Sequence, residues 1–145
     1  MRKLIALGLL TGVAAFAANA NAQTQKKVSI STIVEVPALV ETRDGVLKAL
    51  AARGFNPGKE IKLDYQNANG AMPTQQQIAK KFVGDGADVI IAITTPTAQA
   101  MATATKDIPI VFASVTDPIK AKLITAYSPT GTNITGVSDA APVDQ

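Results

Sequence analysis

The 145-residue sequence contains no cysteine, no histidine and no tryptophan, and only two tyrosines and four phenylalanines. Without cysteine there is no disulfide, no thiolate metal site and no thiol nucleophile. A bacterial lipid anchor, which is built on an N-terminal cysteine, is excluded as well. Without histidine, the commonest general base and the commonest transition-metal ligand are gone, and no Ser-His-Asp triad can form. Carboxylates remain, but no close Asp/Glu spacing suggests a cation site. The chain also lacks a Walker-type phosphate loop, a dinucleotide-binding glycine fingerprint and a nucleophile elbow. No basic cluster has aromatic neighbours, so nucleic acid is not an expected partner. No cofactor, metal or catalytic residue is predicted.

What is present begins with an export signal. Met1-Arg2-Lys3 is a basic start, Leu4 to Ala18 an apolar run, and Ala20-Asn21-Ala22 a small-residue cleavage site. That order predicts a secretory signal peptide over residues 1–22, cut after Ala22. The run is too short and too rich in alanine and glycine for a stable membrane span. Cleavage removes two of the 14 basic residues against 11 acidic ones, leaving charge near balance. A secreted chain with neither lipid anchor nor span is expected free in the periplasm.

The remaining residues alternate between two periodicities. Residues 28–34 are β-branched and read as a first strand. In residues 38–53, Leu39, Val46, Leu47 and Leu50 fall on one helical face, and Gly54 follows. Residues 60–66 alternate as a second strand, with Tyr65 read as a core position. Asn67 to Pro73 reads as a polar loop, with Asn67 and Asn69 as loop formers. A helix is expected over 74–84, with Ile78, Phe82 and Val83 facing in. Residues 88–94 are apolar throughout, as in a strand buried on both faces of a parallel sheet. An alanine-rich helix over 96–106, a strand over 110–114, a short helix over 118–125 and a fifth strand over 133–138 complete the pattern. Such alternation implies an α/β fold: a parallel sheet of about five strands, order 2-1-3-4-5, with helices on both faces.

In that topology the C-terminal ends of strands one, three and four share an edge. The segments there are Glu35-Val36-Pro37, Thr94-Thr95-Pro96-Thr97 and Ser114-Val115-Thr116-Asp117-Pro118. Open α/β sheets bind ligands at this edge, and helix starts there offer unpaired N–H groups to anions. The candidate ligand contacts are Glu35, Pro37, Thr94, Thr95, Thr97, Ser114, Thr116 and Asp117. Thr95 before Pro96 and Asp117 before Pro118 also read as N-cap and N1-proline pairs. Capping and binding are compatible, since a cap uses one acceptor only. A phospho-acceptor receiver is disfavoured, because Thr94 stands where its aspartate would end strand three.

Several segments in order carry a family resemblance: Glu35-Val36-Pro37-Ala38-Leu39, Arg43-Asp44-Gly45, Tyr65-Gln66-Asn67-Ala68, Gln77-Ile78-Ala79-Lys80-Lys81-Phe82, Ala92-Ile93-Thr94-Thr95-Pro96-Thr97-Ala98, Ile108-Pro109-Ile110-Val111-Phe112, Val115-Thr116-Asp117-Pro118 and Gly131-Thr132-Asn133-Ile134-Thr135-Gly136-Val137-Ser138. From about Val28 to Asp139 the chain resembles the N-terminal part of ABC-transporter substrate-binding proteins of the tryptophan/tyrosine-type family, which have a type I periplasmic binding fold. The resemblance implies two α/β lobes closing on a ligand across a hinge. It implies that Thr94, Thr95, Thr116 and Asp117 hold the ligand's carboxylate and amino groups. It also implies permease and ATPase subunits as partners and a small solute, plausibly an amino acid, as cargo. Residues 23–132 are then the N-terminal lobe, incomplete, and residues 133–145 a hinge crossing and the start of a second lobe. The sequence is expected to be part of a longer protein. The alternatives are a secreted solute-sensing module for a membrane receptor and a small-substrate α/β enzyme.

Overall fold

The computed structural model describes residues 24–129 and 131–140. The signal-peptide prediction, residues 1–22, lies outside the described residues. The elements run β1 (Lys26–Thr32), α1 (Pro37–Ala52), β2 (Ile61–Asn67), α2 (Met72–Gly84), β3 (Val89–Ile93), α3 (Thr95–Ala104), β4 (Ile110–Val115) and β5 (Ile134–Ser138). All five strands form one sheet in the order β2-β1-β3-β4-β5. Every pairing is parallel. The expected fold and strand order are therefore present.

Helices cover both faces. On one face, α1 sets Leu39, Val46, Leu47 and Leu50 against Val28, Ile30, Ile61, Ile91 and Ile93. On the other, Ile78 and Phe82 of α2 and Met101 of α3 pack with Ile90, Ala92 and Phe112. Strand β3 thus sends alternate residues into two cores, which is why its sequence is an unbroken apolar run.

Three local expectations are corrected. Helix α2 starts at Met72, and Pro73 lies in its first turn rather than in a loop. A first-turn proline gives up only an N–H that the helix could not have used. The expected helix over 118–125 is absent, and residues 118–122 form a turn: Ala121 N–H reaches Asp117 O at 2.9 Å, and Lys122 then adopts φ 59°. That left-handed residue ends the turn, and Leu123 after it joins the core, 6% exposed. Thr95 is not the N-cap of α3. Thr94 is, with φ 88°, and Thr95 is the first helical residue. The Thr94 N–H still donates to Ala113 O in the sheet, 2.9 Å, so the chain must turn sharply at that residue to enter the helix.

Candidate functional site

A parallel sheet puts all its strand ends on one side. Ile93 of β3 is in register with Ala113 of β4, so Thr94 and Ser114 follow as neighbours along adjacent strands. Thr95 opens α3, and Thr116 and Asp117 continue from β4. These five expected residues lie at the ends of the adjacent strands β3 and β4. Glu35 and Pro37 lie beyond the end of β1, which runs between β2 and β3. Pro37 is the first residue of α1, behind Val36 as N-cap.

Asp117 accepts the Lys120 backbone N–H at 2.9 Å and pairs with Lys120 Nζ at 3.2 Å. Those hydrogen bonds, the backbone one first, hold its carboxyl below the usual carboxylate range. The residue therefore caps its turn and stays ionised. One carboxylate has about four lone-pair sites, so the turn does not exhaust it. Thr116 is exposed, and its carbonyl accepts Ser138 Oγ–H at 2.9 Å.

Glu35 belongs to a separate cluster on the β2 side. It accepts the Tyr65 hydroxyl at 2.8 Å and Arg43 Nη1–H at 2.9 Å. The Arg43 guanidinium lies 4.9 Å from the centre of the Tyr65 ring and also pairs with Asp44. Burial first, then the bond to Glu35, pushes the Tyr65 hydroxyl above its ordinary range. Tyr65 is thus half in the core by its ring and tied at its polar end, where the sequence suggested a core position alone. Arg43 and Tyr65 are residues that sequence reasoning did not place at the site. Arg43 stands in one of the segments that carry the resemblance, but its contact with Tyr65, on another element, is made only in the fold.

Thr94 and Ser114 are each backed by further side chains. Thr94 Oγ1 lies 3.1 Å from Thr97 Oγ1, and Thr97 Oγ1–H donates to Gln75 Oε1 at 3.2 Å. Gln75 Nε2–H donates to Ser31 Oγ at 3.0 Å. Thr97, Gln75 and Ser31 are all 0% exposed, so Thr97 points inward, behind the edge. Ser114 has φ 51° and sits where the β4–β5 register slips between Phe112 and Val115. Its Oγ lies 3.1 Å from Thr42 Oγ1 of α1. Gln75 and Thr42 were also invisible in the sequence; one is the first of three consecutive glutamines, the other one of four consecutive polar residues in a helix.

Two larger hollows lie elsewhere. One, about 710 Å³, runs between α2 and α3; the other, about 490 Å³, lies beside β4 and β5 under Tyr127. Neither is lined by Thr94, Ser114, Thr116 or Asp117. Among the described residues, no group of three or more His, Cys, Asp or Glu side chains could hold a metal ion. No described helix is long and apolar enough to cross a membrane.

Residues 27–145 match the family described as ABC transporter substrate binding protein. A tyrosine-binding protein of Clostridioides difficile (strain R20291) is 43% identical over 98% of this chain and 44% of its own length. The ligand-free, open structure of a substrate binding protein with adhesive properties from Clostridium difficile matches with TM-score 0.79 and 50% identity, over 81% of this chain and 40% of that one. A conserved domain protein from Vibrio cholerae matches with TM-score 0.80 and 50% identity, over 82% of this chain and 40% of that one. An ABC domain in complex with L-Trp from Streptococcus pneumonia matches with TM-score 0.77 and 35% identity, over 81% of this chain and 39% of that one. The chain spans less than half the length of these relatives.

Proposed function

The chain belongs to the ABC transporter substrate-binding protein family, a family of solute binders rather than enzymes, and from that premise we propose that it forms the N-terminal lobe of a periplasmic receptor for an amino acid with an aromatic side chain. The observation that carries the reading is the shared edge of β3 and β4, where an α3 amino end and an ionised Asp117 stand at neighbouring strand ends. A free amino acid carries one negative and one positive group on the same carbon. The first-turn amides of α3, at Thr95 and Thr97, suit its carboxylate, since a helix start has unpaired N–H groups and partial positive charge. Pro96 between them has no N–H to offer. Asp117 suits the ammonium group. Pro37 and Thr116 line the rest of the wall in this reading, with Glu35 flanking it from its own cluster with Arg43 and Tyr65.

The aromatic preference rests on relatives: one is a tyrosine-binding protein, and another was solved with L-Trp. In this reading a second lobe closes over the ligand from the opposite side. Residues 133–145 lead towards it, and a permease and its ATPase receive the solute. Calorimetry on the receptor at the length of its relatives tests the proposal. L-tyrosine or L-tryptophan should bind with measurable heat. Absence of heat and of any thermal shift across the standard amino acids would sink it.

A further inference from the structure

Two hydroxyls at the binding edge have their protons already committed. A hydroxyl carries one proton and two lone pairs, so each can donate only once. Gln75 presents its Nε2 to Ser31 Oγ, 3.0 Å, while its Oε1 faces Thr97 Oγ1 at 3.2 Å and, at the longer 3.3 Å, Ser31 Oγ as well. The Thr97 proton is therefore spent on Gln75. Thr97 can then only accept from Thr94, 3.1 Å away, and Thr94 must donate. The second chain has the same logic. Thr42 Oγ1–H donates to Ala38 O at 3.0 Å, so across the 3.1 Å contact Ser114 must donate to Thr42. In both cases the residue at the strand end is left with lone pairs and no proton to give.

We propose that Gln75 and Thr42 are positioning residues that fix the hydrogen-bond polarity of Thr94 and Ser114, so that both present acceptors and select an N–H-donating group on the ligand. This deepens the amino-acid reading and rests on it: the two hydroxyls join Asp117 in receiving the ammonium, while the carboxylate is left to backbone N–H groups. A ligand lacking the ammonium would face acceptors with acceptors. Neutral hydroxyls in place of further carboxylates avoid adding buried negative charge when the site is empty.

The ligand test uses the receptor at the length of its relatives, titrated with L-tyrosine and with its deaminated analogue, 3-(4-hydroxyphenyl)propionate. The readout is the ratio of the two affinities. Thr97→Val, Gln75→Leu and Thr42→Val each free a strand-end hydroxyl to rotate and donate, so each should lower the preference for L-tyrosine by about tenfold. Thr97→Ser and Thr42→Ser keep the proton order and should restore the wild-type ratio. A merely structural role would weaken both ligands alike, and an unchanged ratio in all three variants overturns the proposal. A second measurement needs no ligand and no variant. In the wild-type protein, NOEs from the Gln75 side-chain amide protons should be stronger to the Ser31 β-protons than to the Thr97 methyl. The reverse pattern would turn the proton order of the Thr94 chain around and overturn the proposal directly. If the wild type bound neither ligand, the amino-acid reading would fall, and the amide orientation would still decide the proton order.

Discussion

A single added methyl group should be felt at Gly136. A Cβ there would run into the Phe112 backbone oxygen and the base of its ring, across the β4–β5 pairing. Gly136→Ala is expected to cost about 1–3 kcal/mol, the range for overpacking. Urea unfolding would read it as a lowered midpoint at constant slope, and an unmoved midpoint would show that β5 can shift at no cost. Asp117 separates two roles by a different measurement. As a ligand contact, Asp117→Ala weakens binding by about tenfold; as a cap alone, it lowers the melting temperature and leaves affinity unchanged. The sequence announced Asp117 as a cap because Asp before Pro is a local signal, although what it caps is a turn and not the expected helix. It did not announce Thr94 as the N-cap, since φ 88° is expected of glycine, not of a β-branched residue. That conformation is imposed by the sheet bond to Ala113, a partner far along the chain.

The helices are unequal. Helix α2 buries Gln75, Ile78, Ala79 and Phe82, whereas α1 buries no residue completely. Phe82→Ala should cost about 3–5 kcal/mol, and Leu47→Ala less than about 2 kcal/mol, because cavity cost follows burial. Hydrogen exchange should accordingly open α1 before α2. Lys81 ties α2 to the sheet through Asp64 of β2 and also pairs with Asp85 at 2.7 Å. Burial raises the Asp64 carboxyl, but hydrogen bonds from Lys81 and Gln66 overcome this and hold it below its ordinary value of 3.8. A depressed folded-state value gives stability that is present above 3.8 and fades as pH falls through the lower value. Lys81 is shifted upward by hydrogen bonds to Asp64 and Asp85, so its share is present below its ordinary 10.5 and fades at higher pH. Melting curves of the wild type and Lys81→Met should differ at neutral pH and converge in acid. A gap that persisted in acid would mean the lysine acts through packing. Element types were legible because each follows from local periodicity. Their ends were less so, as at Met72, and the type itself was misread once, at 118–122, where a turn brings Leu123 into the core in place of the expected helix.

At the scale of the molecule, strand order was legible because parallel crossovers allow few arrangements, and β3 declared itself central by being apolar on both faces. The side-chain networks behind the edge were not legible, since Ser31, Gln75 and Thr97 meet only after three elements have packed. Among the described residues, β5 pairs with β4 alone, and Val137 is 66% and Tyr127 70% exposed. An open apolar strand edge templates association. Residues 23–145 produced alone should therefore self-associate as concentration rises, and Val137→Lys should suppress it. Sedimentation showing a monomer at every concentration would refute this.

The interior place of β1, between β2 and β3, has a consequence for timing. The first strand to be synthesised is hydrogen-bonded on both sides, to β2, which ends at Asn67, and to β3, which ends at Ile93. Among the described residues, no hairpin holds it in the meantime. Sheets without such local pairings close slowly, because chain entropy is lost before contacts repay it. A nascent chain built this way cannot begin its sheet until β2 has been made and cannot enclose β1 until β3 has followed. For that interval β1 has no complete set of partner strands, and the order in which the chain is made sets the order in which the sheet can close.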